Sequence, residues 1–331
     1  MPRIDIEALE DEWEEDHHLL AQRRRSDPLS QAAKDRLEDY DAGRIVAVDK
    51  GQVRVLYDDE VMAARFSGAM RGTKVAVGDR VRVRPPRHET DEARIVELLD
   101  RRTVLMRTAD DALDDERVVV ANADTVAVVL AADYLDVGAR FLDRVMVSAS
   151  VGGLDTALCI NKVDLVDDRT EVADVAARYT AIGVRVWVTS ARTGEGLDEF
   201  GQQLTEAWTA FTGHSGVGKT SLFNDLVPEA GRPVAEIGRF GGRHTTVSAR
   251  AMHIPALDAW LVDTPGVRSF GLGTLTPEEL AGHFPELAAL DCALDDCIHE
   301  GEPGCALTDD AIHPARLDSY RRLLAGLREA G

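Results

Sequence analysis

The sequence predicts an α/β protein with three parts that follow a charged N-terminal extension over residues 1–40. About five short alternating strands between residues 44 and 97 predict a small β-barrel at 41–104. Residues 105–273 alternate apolar, strand-like runs with helical stretches, which predicts an open α/β domain. Three cysteines and one histidine lie within 14 residues of the segment 274–331 and predict a metal-binding helical domain.

The barrel is most simply an OB-fold, because its strands are short and punctuated by glycine turns. The predicted strands lie near Ile45–Val48, Val53–Tyr57, Val61–Phe66, Val81–Arg84 and Ala93–Glu97. In V-R-V-R-P-P-R-H, residues 81–88, Val alternates with Arg, so one face is apolar and the other basic. That basic face meets either solvent or RNA, and the pattern by itself favours neither.

Charge and composition restrict the partners. The net charge of −21 argues against a nucleic-acid partner for the whole chain, because phosphate backbones attract Lys and Arg. Residues 1–40 hold 12 Asp/Glu against 6 Lys/Arg, typical of a solvated tail, whereas 41–104 hold 13 Lys/Arg against 11 Asp/Glu. The barrel is therefore the part suited to RNA. Without a membrane-length apolar run or a secretory signal, we expect a cytoplasmic protein that binds no membrane.

Apolar runs in the α/β region are typical of buried parallel strands, and polar motifs follow three of them. The runs are Thr125–Leu130, Ala157–Ile160, Val184–Val188 and Leu261–Val262. Open α/β sheets bind ligands at the carboxyl ends of their strands. We therefore expect the motifs to meet at one edge of the sheet.

The strongest motif is G-H-S-G-V-G-K-T, residues 213–220, which matches the phosphate-binding loop G-x-x-x-x-G-K-[ST]. Its backbone N–H groups would surround phosphate oxygens, and the following helix would point its positive end at them. Lys219 would contact the β- and γ-phosphates, and Thr220 would offer its hydroxyl to Mg²⁺. The predicted phosphate-binding set is Gly213, His214, Ser215, Gly216, Val217, Gly218, Lys219, Thr220 and Ser221.

A second motif predicts guanine. Asn161, Lys162, Val163 and Asp164 form N-K-V-D after an apolar strand. A carboxylate accepts hydrogen bonds from both guanine N1 and the exocyclic amine, and adenine cannot donate both, so Asp164 favours GTP over ATP. Asn161 and Lys162 would brace the loop and cover the base. Ser190 and Ala191 end the next strand and would present a backbone N–H to guanine O6.

A third motif, Asp263-Thr264-Pro265-Gly266, predicts the γ-phosphate sensor, with Asp263 holding Mg²⁺ through water. Residues 238–247 suit a first switch that supplies a threonine to Mg²⁺, either Thr245 or, preferentially, Thr246. Ras-like enzymes carry a water-orienting glutamine where this chain has Val267. His244 is either its substitute or an exposed loop residue. The candidate catalytic set is Lys219, Thr246, Gly266 and His244.

The order of these motifs is unusual. N-K-V-D precedes the phosphate loop by about 50 residues, whereas in ordinary GTPases it follows that loop. The sequence therefore predicts a circularly permuted P-loop GTPase domain. The permutation places the γ-phosphate sensor at the end of the domain, directly before the Cys/His-rich segment.

Four soft ligands near the C-terminus predict a closed zinc site. Cys292, Cys297, His299 and Cys305 supply three thiolates and an imidazole, a structural Zn²⁺ set with no open position. The fourth cysteine, Cys159, lies inside an apolar strand and is expected to be a core residue. Leucines and a tyrosine at helical spacing predict a final helix over Pro314–Ala330.

Together these features resemble the RsgA family (also YjeQ or YloQ), the circularly permuted GTPases that depend on the small ribosomal subunit. The likeness spans the chain from about residue 40. It rests on L-D-R at 142–144, N-K-V-D-L, G-H-S-G-V-G-K-T-S, G-R-H-T-T, D-T-P-G-V-R-S-F-G-L and C-x₄-C-I-H-x-x-E-P-G-C.

The resemblance implies OB and zinc domains flanking the GTPase domain, and GTP/GDP, Mg²⁺ and one Zn²⁺ per chain. It also implies late maturation of the 30S subunit, binding to 16S rRNA near the decoding region and GTPase activity stimulated by that subunit. We expect a monomer. Two other interpretations stay open: a regulatory GTPase switch with a non-ribosomal partner, and a binding module that Val267 leaves unable to hydrolyse GTP.

Overall fold

The computed structural model describes residues 40–49, 52–86, 88, 91–109, 112–226, 249–264, 270, 272 and 275–330. The charged extension predicted at the N-terminus lies outside these residues, apart from Tyr40.

Five strands form the predicted OB-like barrel. They are β1 (Ala42–Asp49), β2 (Gln52–Tyr57), β3 (Glu60–Phe66), β4 (Arg80–Arg84) and β5 (Ala93–Leu98). Their order is β1-β2-β3-β5-β4, and β4 pairs back with β1, so the sheet closes. The barrel core is formed by alternating apolar side chains, among them the fully buried Ile45, Val55 and Ile95. The barrel expected from the short alternating strands is confirmed.

The Val/Arg alternation of β4 holds, but its basic face is partly neutralised. Val81 and Val83 are fully buried, whereas Arg80 and Arg84 are exposed. The middle arginine, Arg82, is half-buried: its Nε donates to Glu97 Oε2 (3.0 Å) and its Nη1 to a backbone carbonyl at residue 40 (2.9 Å). Two of the three arginines on the strand therefore remain available to a partner.

An antiparallel hairpin, β6 (Val104–Ala109) and β7 (Ala112–Ala121), follows the barrel. The alternation of strands and helices expected from residue 105 is therefore wrong at its start. Only two residues separate the strands. A parallel pair needs a crossover of a dozen or more residues, so this short spacing permits only the antiparallel arrangement.

The α/β domain contains a parallel sheet ordered β10-β9-β8-β11-β13. Its strands are β8 (Thr125–Ala131), β9 (Asp155–Asn161), β10 (Arg185–Val188), β11 (Trp208–Thr212) and β13 (Ala259–Asp263). Its helices are α1 (Leu135–Val151), α2 (Thr170–Thr180), α3 (Leu197–Gln202) and α4 (Lys219–Leu226). Every residue of β8 is buried, as its β-branched run predicts for a central strand.

One further strand joins the α/β domain to the barrel. The edge strand β12 (Arg250–Ile254) runs antiparallel to β13 and also pairs with β1, so the two domains share one eleven-stranded sheet. Beside this junction the guanidinium of Arg44 lies 3.3 Å from the ring centroid of Trp208, which stacks on Trp260 at 5.0 Å. Burial lowers the pKa of Arg44 to about 9. Such a cation–π contact stabilises the barrel against the α/β domain.

The C-terminal domain packs on α1. It contains α5 (Pro285–Ala288) and the predicted long helix α6 (Pro314–Ala330). Its core includes Leu280, Phe284, Tyr320 and Leu324, and Val147 of α1 belongs to the same cluster. Among the described helices none is long and apolar enough to cross a membrane.

A buried charged group fixes this packing. Arg316 of α6 is 1% exposed; it contacts Asp143 of α1 at 2.6 Å and Glu286 of α5 at 2.8 Å. Tyr179 of α2 donates its hydroxyl to the same Asp143 oxygen at 2.7 Å. Removing one partner from such a buried cluster leaves an uncompensated charge, so these side chains depend on one another.

Candidate nucleotide site and metal centre

The three predicted motifs meet at one edge of the parallel sheet. Asn161 is the last residue of β9, Gly213 directly follows β11, and Asp263 is the last residue of β13. These positions are the carboxyl ends of parallel strands, where the sequence places them. These three strand ends therefore lie at a common edge of the sheet.

Two glycines of the phosphate loop combine a positive φ with close contacts that leave no room for a side chain. Gly213 and Gly218 have φ of +148° and +96°, in the left-handed region that glycine favours. A Cβ atom on Gly213 would lie 2.3 Å from the Val129 carbonyl oxygen, and one on Gly218 would lie 2.3 Å from Asn161 Nδ2. The loop can therefore approach both β8 and the base motif only because these positions lack side chains.

Lys219 closes the loop upon itself. Its Nζ donates to the carbonyl oxygens of Gly213 (2.6 Å) and His214 (3.0 Å). Burial lowers the pKa of Lys219, and the nearby Asp263 carboxylate opposes that shift. Ser215, Gly216, Thr220 and Ser221 are exposed, whereas Val217 is buried in the core. The loop thus presents polar groups outward around a fixed ammonium.

Asp263 has an unsatisfied oxygen. The residue is 7% exposed, and none of the described groups makes a hydrogen bond with its Oδ1. Burial raises the pKa of this carboxyl, and Lys219 counteracts the rise. A buried acceptor without a donor is costly, so it points to a missing partner. A hard cation, or a water in its shell, is the chemical partner that a carboxylate oxygen fits.

Asn161 joins the base motif to the phosphate loop. Its Nδ2 donates to the Val217 carbonyl oxygen (2.9 Å), and its Oδ1 accepts from the Ala191 N–H (3.1 Å). The following residue, Lys162, adopts φ of +66°, so the chain turns sharply after β9. Val163 is fully buried, and its side chain belongs to the core rather than to a nucleotide contact. An apolar residue within a polar motif is the signal for that core position.

Asp164 is held by two neighbours. Ser190 donates its hydroxyl to Oδ1, and Arg192 Nη2 lies 2.6 Å from Oδ2. These contacts hold the pKa of the Asp164 carboxyl below its usual value, with the Ser190 hydroxyl contributing most. The structure gives the Ala191 N–H to Asn161, so guanine O6 would have to share or replace that bond. Sequence reasoning missed Arg192, since nothing in its position marks it as a partner of Asp164.

Helix α1 supports the site from behind. The Phe141 ring lies 4.7 Å from the His214 ring of the phosphate loop and 5.8 Å from the Phe270 ring. Arg144 Nε donates to the Phe270 carbonyl oxygen at 2.9 Å. One turn of α1 therefore contacts both the phosphate loop and the chain beyond Asp263. Thr246, Thr245, His244, Gly266 and Val267 lie outside the described residues.

The four predicted zinc ligands come together. Cys292, Cys297, His299 and Cys305 place their ligand atoms within 4.8 Å of one another. His299 Nδ1 lies 3.7, 3.7 and 3.5 Å from the three sulfurs. Tetrahedral zinc with ordinary Zn–S and Zn–N bonds separates such atoms by about 3.6 Å. The cluster therefore has the dimensions of a four-coordinate metal site.

Backbone donors complete the surroundings of the cluster. The Ala306 N–H donates to Cys292 Sγ (3.2 Å) and the Leu307 N–H to Cys305 Sγ (3.5 Å). Such bonds stabilise thiolates and orient them toward a metal. Cys159, the remaining cysteine, is fully buried in β9, as expected for a core residue, and burial raises the pKa of its thiol to about 12.

The fold and the site define a circularly permuted GTPase that carries an OB-like barrel and a C-terminal Cys₃His cluster. Comparison with known sequences agrees. The RsgA GTPase family model matches residues 98–273. A Gemmatimonas aurantiaca protein, "Small ribosomal subunit biogenesis GTPase RsgA", is 36% identical over 84% of this chain and 95% of its own. A Bacteroides fragilis protein with that name is 34% identical over 80% of this chain and 88% of its own. The chain belongs to the RsgA GTPase family.

Solved structures show the same architecture. YjeQ from Thermotoga maritima aligns with a TM-score of 0.70 and 27% identity over 87% of this chain and 98% of that chain. YloQ, described as a circularly permuted GTPase, aligns with a TM-score of 0.68 over 88% of this chain and 96% of its own. Its 23% identity supports the fold alone. The circular permutation predicted from motif order is confirmed, and the family implies GTP, GDP and Mg²⁺ as ligands.

Proposed function

We propose that this GTPase is an assembly factor of the small ribosomal subunit, acting in late 30S maturation. The observation that supports guanine-nucleotide binding is the Asn161 side chain, which connects the guanine motif to the phosphate loop. The proposed ribosomal role rests on its relatives, which are named as small ribosomal subunit biogenesis GTPases. The first of them aligns over 95% of its length, so the resemblance includes the barrel and the metal domain.

The proposed roles follow from the contacts. Asp164 accepts hydrogen bonds from guanine N1 and the exocyclic amine after Arg192 moves aside. Because Arg192 is exposed, breaking its ion pair with Asp164 costs little free energy. Lys219 neutralises the β- and γ-phosphates. Ser190 stays on Asp164 Oδ1 and holds the carboxylate in place. The backbone N–H groups of the phosphate loop and the N-terminus of α4 complete the anion site.

The magnesium ligands are Thr220, through its hydroxyl, and Asp263, whose unsatisfied Oδ1 fits a cation or its water. When bound, Mg²⁺ neutralises charge that develops on the phosphate oxygens. The sequence suggests three further roles: Thr246 in the first switch, Gly266 as a contact of the γ-phosphate, and His244 as the group that positions the attacking water. With Val267 in the glutamine position, hydrolysis is slow until a partner stimulates it.

The flanking domains serve attachment. We assign residues 41–104 to 16S rRNA binding, through the exposed Arg80 and Arg84, and 105–273 to the GTPase domain. Residues 274–331 form a domain held by one Zn²⁺. The three thiols and the imidazole, and the distances of 3.7, 3.7 and 3.5 Å between His299 Nδ1 and the sulfurs, support this assignment. Residues 1–40 form an acidic extension. The protein is a cytoplasmic monomer.

Co-sedimentation tests whether the protein binds the small ribosomal subunit. The purified protein with a non-hydrolysable GTP analogue is centrifuged with 30S, 50S or 70S particles over a range of salt concentrations. We expect retention on 30S subunits that weakens with salt, since phosphate contacts release counterions. Equal retention on 50S subunits, or none on 30S subunits, contradicts the proposal. The comparison of 30S with 50S subunits separates specific attachment from non-specific binding to ribosomal particles.

A further inference from the structure

A groove of about 780 Å³ opens onto the metal cluster, and Cys292, Cys297 and His299 are among its lining residues. Its walls are the end of α1, the segment that precedes α5, and the loop that carries the first metal ligands. Apolar side chains line it, including Val151, Leu275, Leu287, Leu290 and Leu294. Leu294 is 45% exposed, one of four large hydrophobic residues of the described chain that remain exposed. Pockets of this size can bury most of a drug-sized ligand.

The rim of the groove is acidic. Glu278, Glu279, Asp291 and Asp295 are exposed, and the lining residues include no Lys or Arg. None of these four carboxylates forms an ion pair with a described Lys or Arg. Burial lowers the pKa of His283, which favours the neutral imidazole, and its Nδ1 lies 2.8 Å from Ser150 Oγ. The groove therefore combines an apolar floor with negative charge that no described Lys or Arg compensates.

The surrounding domain has the same sign. Residues 275–331 contain 12 Asp/Glu against four Arg and no Lys. Arg316 is buried, while Arg322 and Arg328 pair with Asp318 and Glu300. A phosphate backbone would be repelled at this face. A segment rich in Lys and Arg, with an apolar side chain to occupy the floor, is complementary to it.

We propose that this acidic groove binds a Lys/Arg-rich peptide segment with a leucine-sized anchor, contributed by a protein of the small ribosomal subunit. The choice of that subunit rests on the proposed function; the chemistry of the occupant rests on the groove. Because α1 forms one wall and the metal loop another, a bound segment contacts the GTPase and metal domains together. The metal domain thereby recognises protein, and RNA contact is left to the barrel.

The first test uses the full zinc-loaded chain and fluorescein-labelled synthetic peptides that cover the Lys/Arg-rich segments of 30S proteins. We expect saturable binding of at least one peptide, lost when its apolar anchor is replaced by serine. Glu278→Lys with Asp295→Lys should weaken binding about tenfold or more, because attraction becomes repulsion at the rim. The control, Asp309→Lys with Glu329→Lys, changes charge equally at exposed positions outside the groove and should have little effect.

Leu294→Ala provides a variant without a charge change and should weaken peptide binding as well. Zinc content of one per chain verifies that each variant keeps the metal domain folded. Binding of no peptide by the wild-type chain overturns the groove assignment. Equal binding by the groove and control variants overturns it too, since the peptide then senses only net charge.

The second test measures 30S affinity, where the sign of the change discriminates between partners. Reversing the groove charges should weaken 30S binding if the groove meets a basic protein segment. The same substitutions should strengthen binding if the groove faces rRNA, because repulsion is relieved; that result overturns the inference. If the wild-type chain fails to bind 30S subunits, the proposed function fails, and the peptide test still decides the chemistry of the groove.

Discussion

The side-chain amide of Asn161 donates a hydrogen bond to the Val217 carbonyl oxygen at 2.9 Å. The two residues belong to different motifs, 56 positions apart. On its other side Asn161 accepts the Ala191 N–H, so one side chain connects the base motif, its companion loop and the phosphate loop. Circular permutation changes the order of these segments along the chain but leaves this junction to hold them together.

Nucleotide affinity should depend on these Asn161 contacts, because they hold the base motif and the phosphate loop together. We expect Asn161→Ala to weaken GDP binding by about tenfold or more, since the lost bonds leave buried groups unsatisfied at ~1–3 kcal/mol. Fluorescent GDP titration measures the change. Asp167→Ala, at an exposed position beyond the motif, is the matched control and should bind normally. Unchanged affinity in the Asn161 variant would remove the bracing role.

Guanine specificity should reside in Asp164. Asp164→Asn is expected to shift preference from GTP toward XTP, because an amide can donate to the 2-oxo group that replaces the exocyclic amine. Competition between GTP, XTP and ATP for a fluorescent nucleotide measures the preference. The wild-type chain should exclude ATP. Comparable binding of ATP and GTP by the wild-type chain would show that the base site is assigned wrongly.

Metal content should depend on the cluster and not on cysteine number. Elemental analysis of protein purified without added metal should give about one zinc per chain, because three thiolates and an imidazole form a closed site. Cys297→Ser should lose zinc and local folding but keep nucleotide binding, since the cluster lies outside the nucleotide site. Cys159→Ala should keep its zinc. Full zinc in the Cys297 variant would exclude that residue as a ligand.

The buried charges at the domain interface should act as a unit. Arg316→Met leaves Asp143 and Glu286 without their partner, so we expect a loss of ~3–5 kcal/mol in the free energy of unfolding. Adding Asp143→Asn should recover part of that loss. The exposed pair between Arg322 and Asp318 is the control; Arg322→Ala should cost about 1 kcal/mol or less. Denaturant titration measures all three, and equal losses in the two single variants would contradict the account.

Local pattern was enough for much of the fold. The run T-V-A-V-V-L predicts the central strand β8, and every residue of that strand is buried. Alternating Val and Arg predicts β4, whose valines point into the barrel. Three motifs at strand ends predict one ligand edge, because the geometry of parallel sheets brings such ends together. The Cys/His spacing similarly predicts a cluster whose ligand atoms do converge.

Contacts between distant segments could not be predicted from the sequence. The stacking of Arg44 on Trp208 joins residues 164 positions apart, and neither position carries a periodic signal. Arg316 resembles any other polar residue of an amphipathic helix, yet it is 1% exposed because two other helices, α1 and α5, supply its ion-pair partners. The Arg192 contact with Asp164 depends on the path of a loop. Such pairings follow from tertiary packing, which periodicity does not encode.

The most direct test of the central claim is the GTPase rate with and without ribosomal particles. We expect slow turnover alone and a stimulation of roughly 10³-fold or more by 30S subunits, because Val267 cannot orient the attacking water and that function has to be supplied in the complex. Lys219→Ala should abolish both rates, while His244→Ala should bind GTP and lose stimulation. Stimulation by 30S but not 50S subunits is the predicted result; a rate unchanged by 30S subunits would contradict the account.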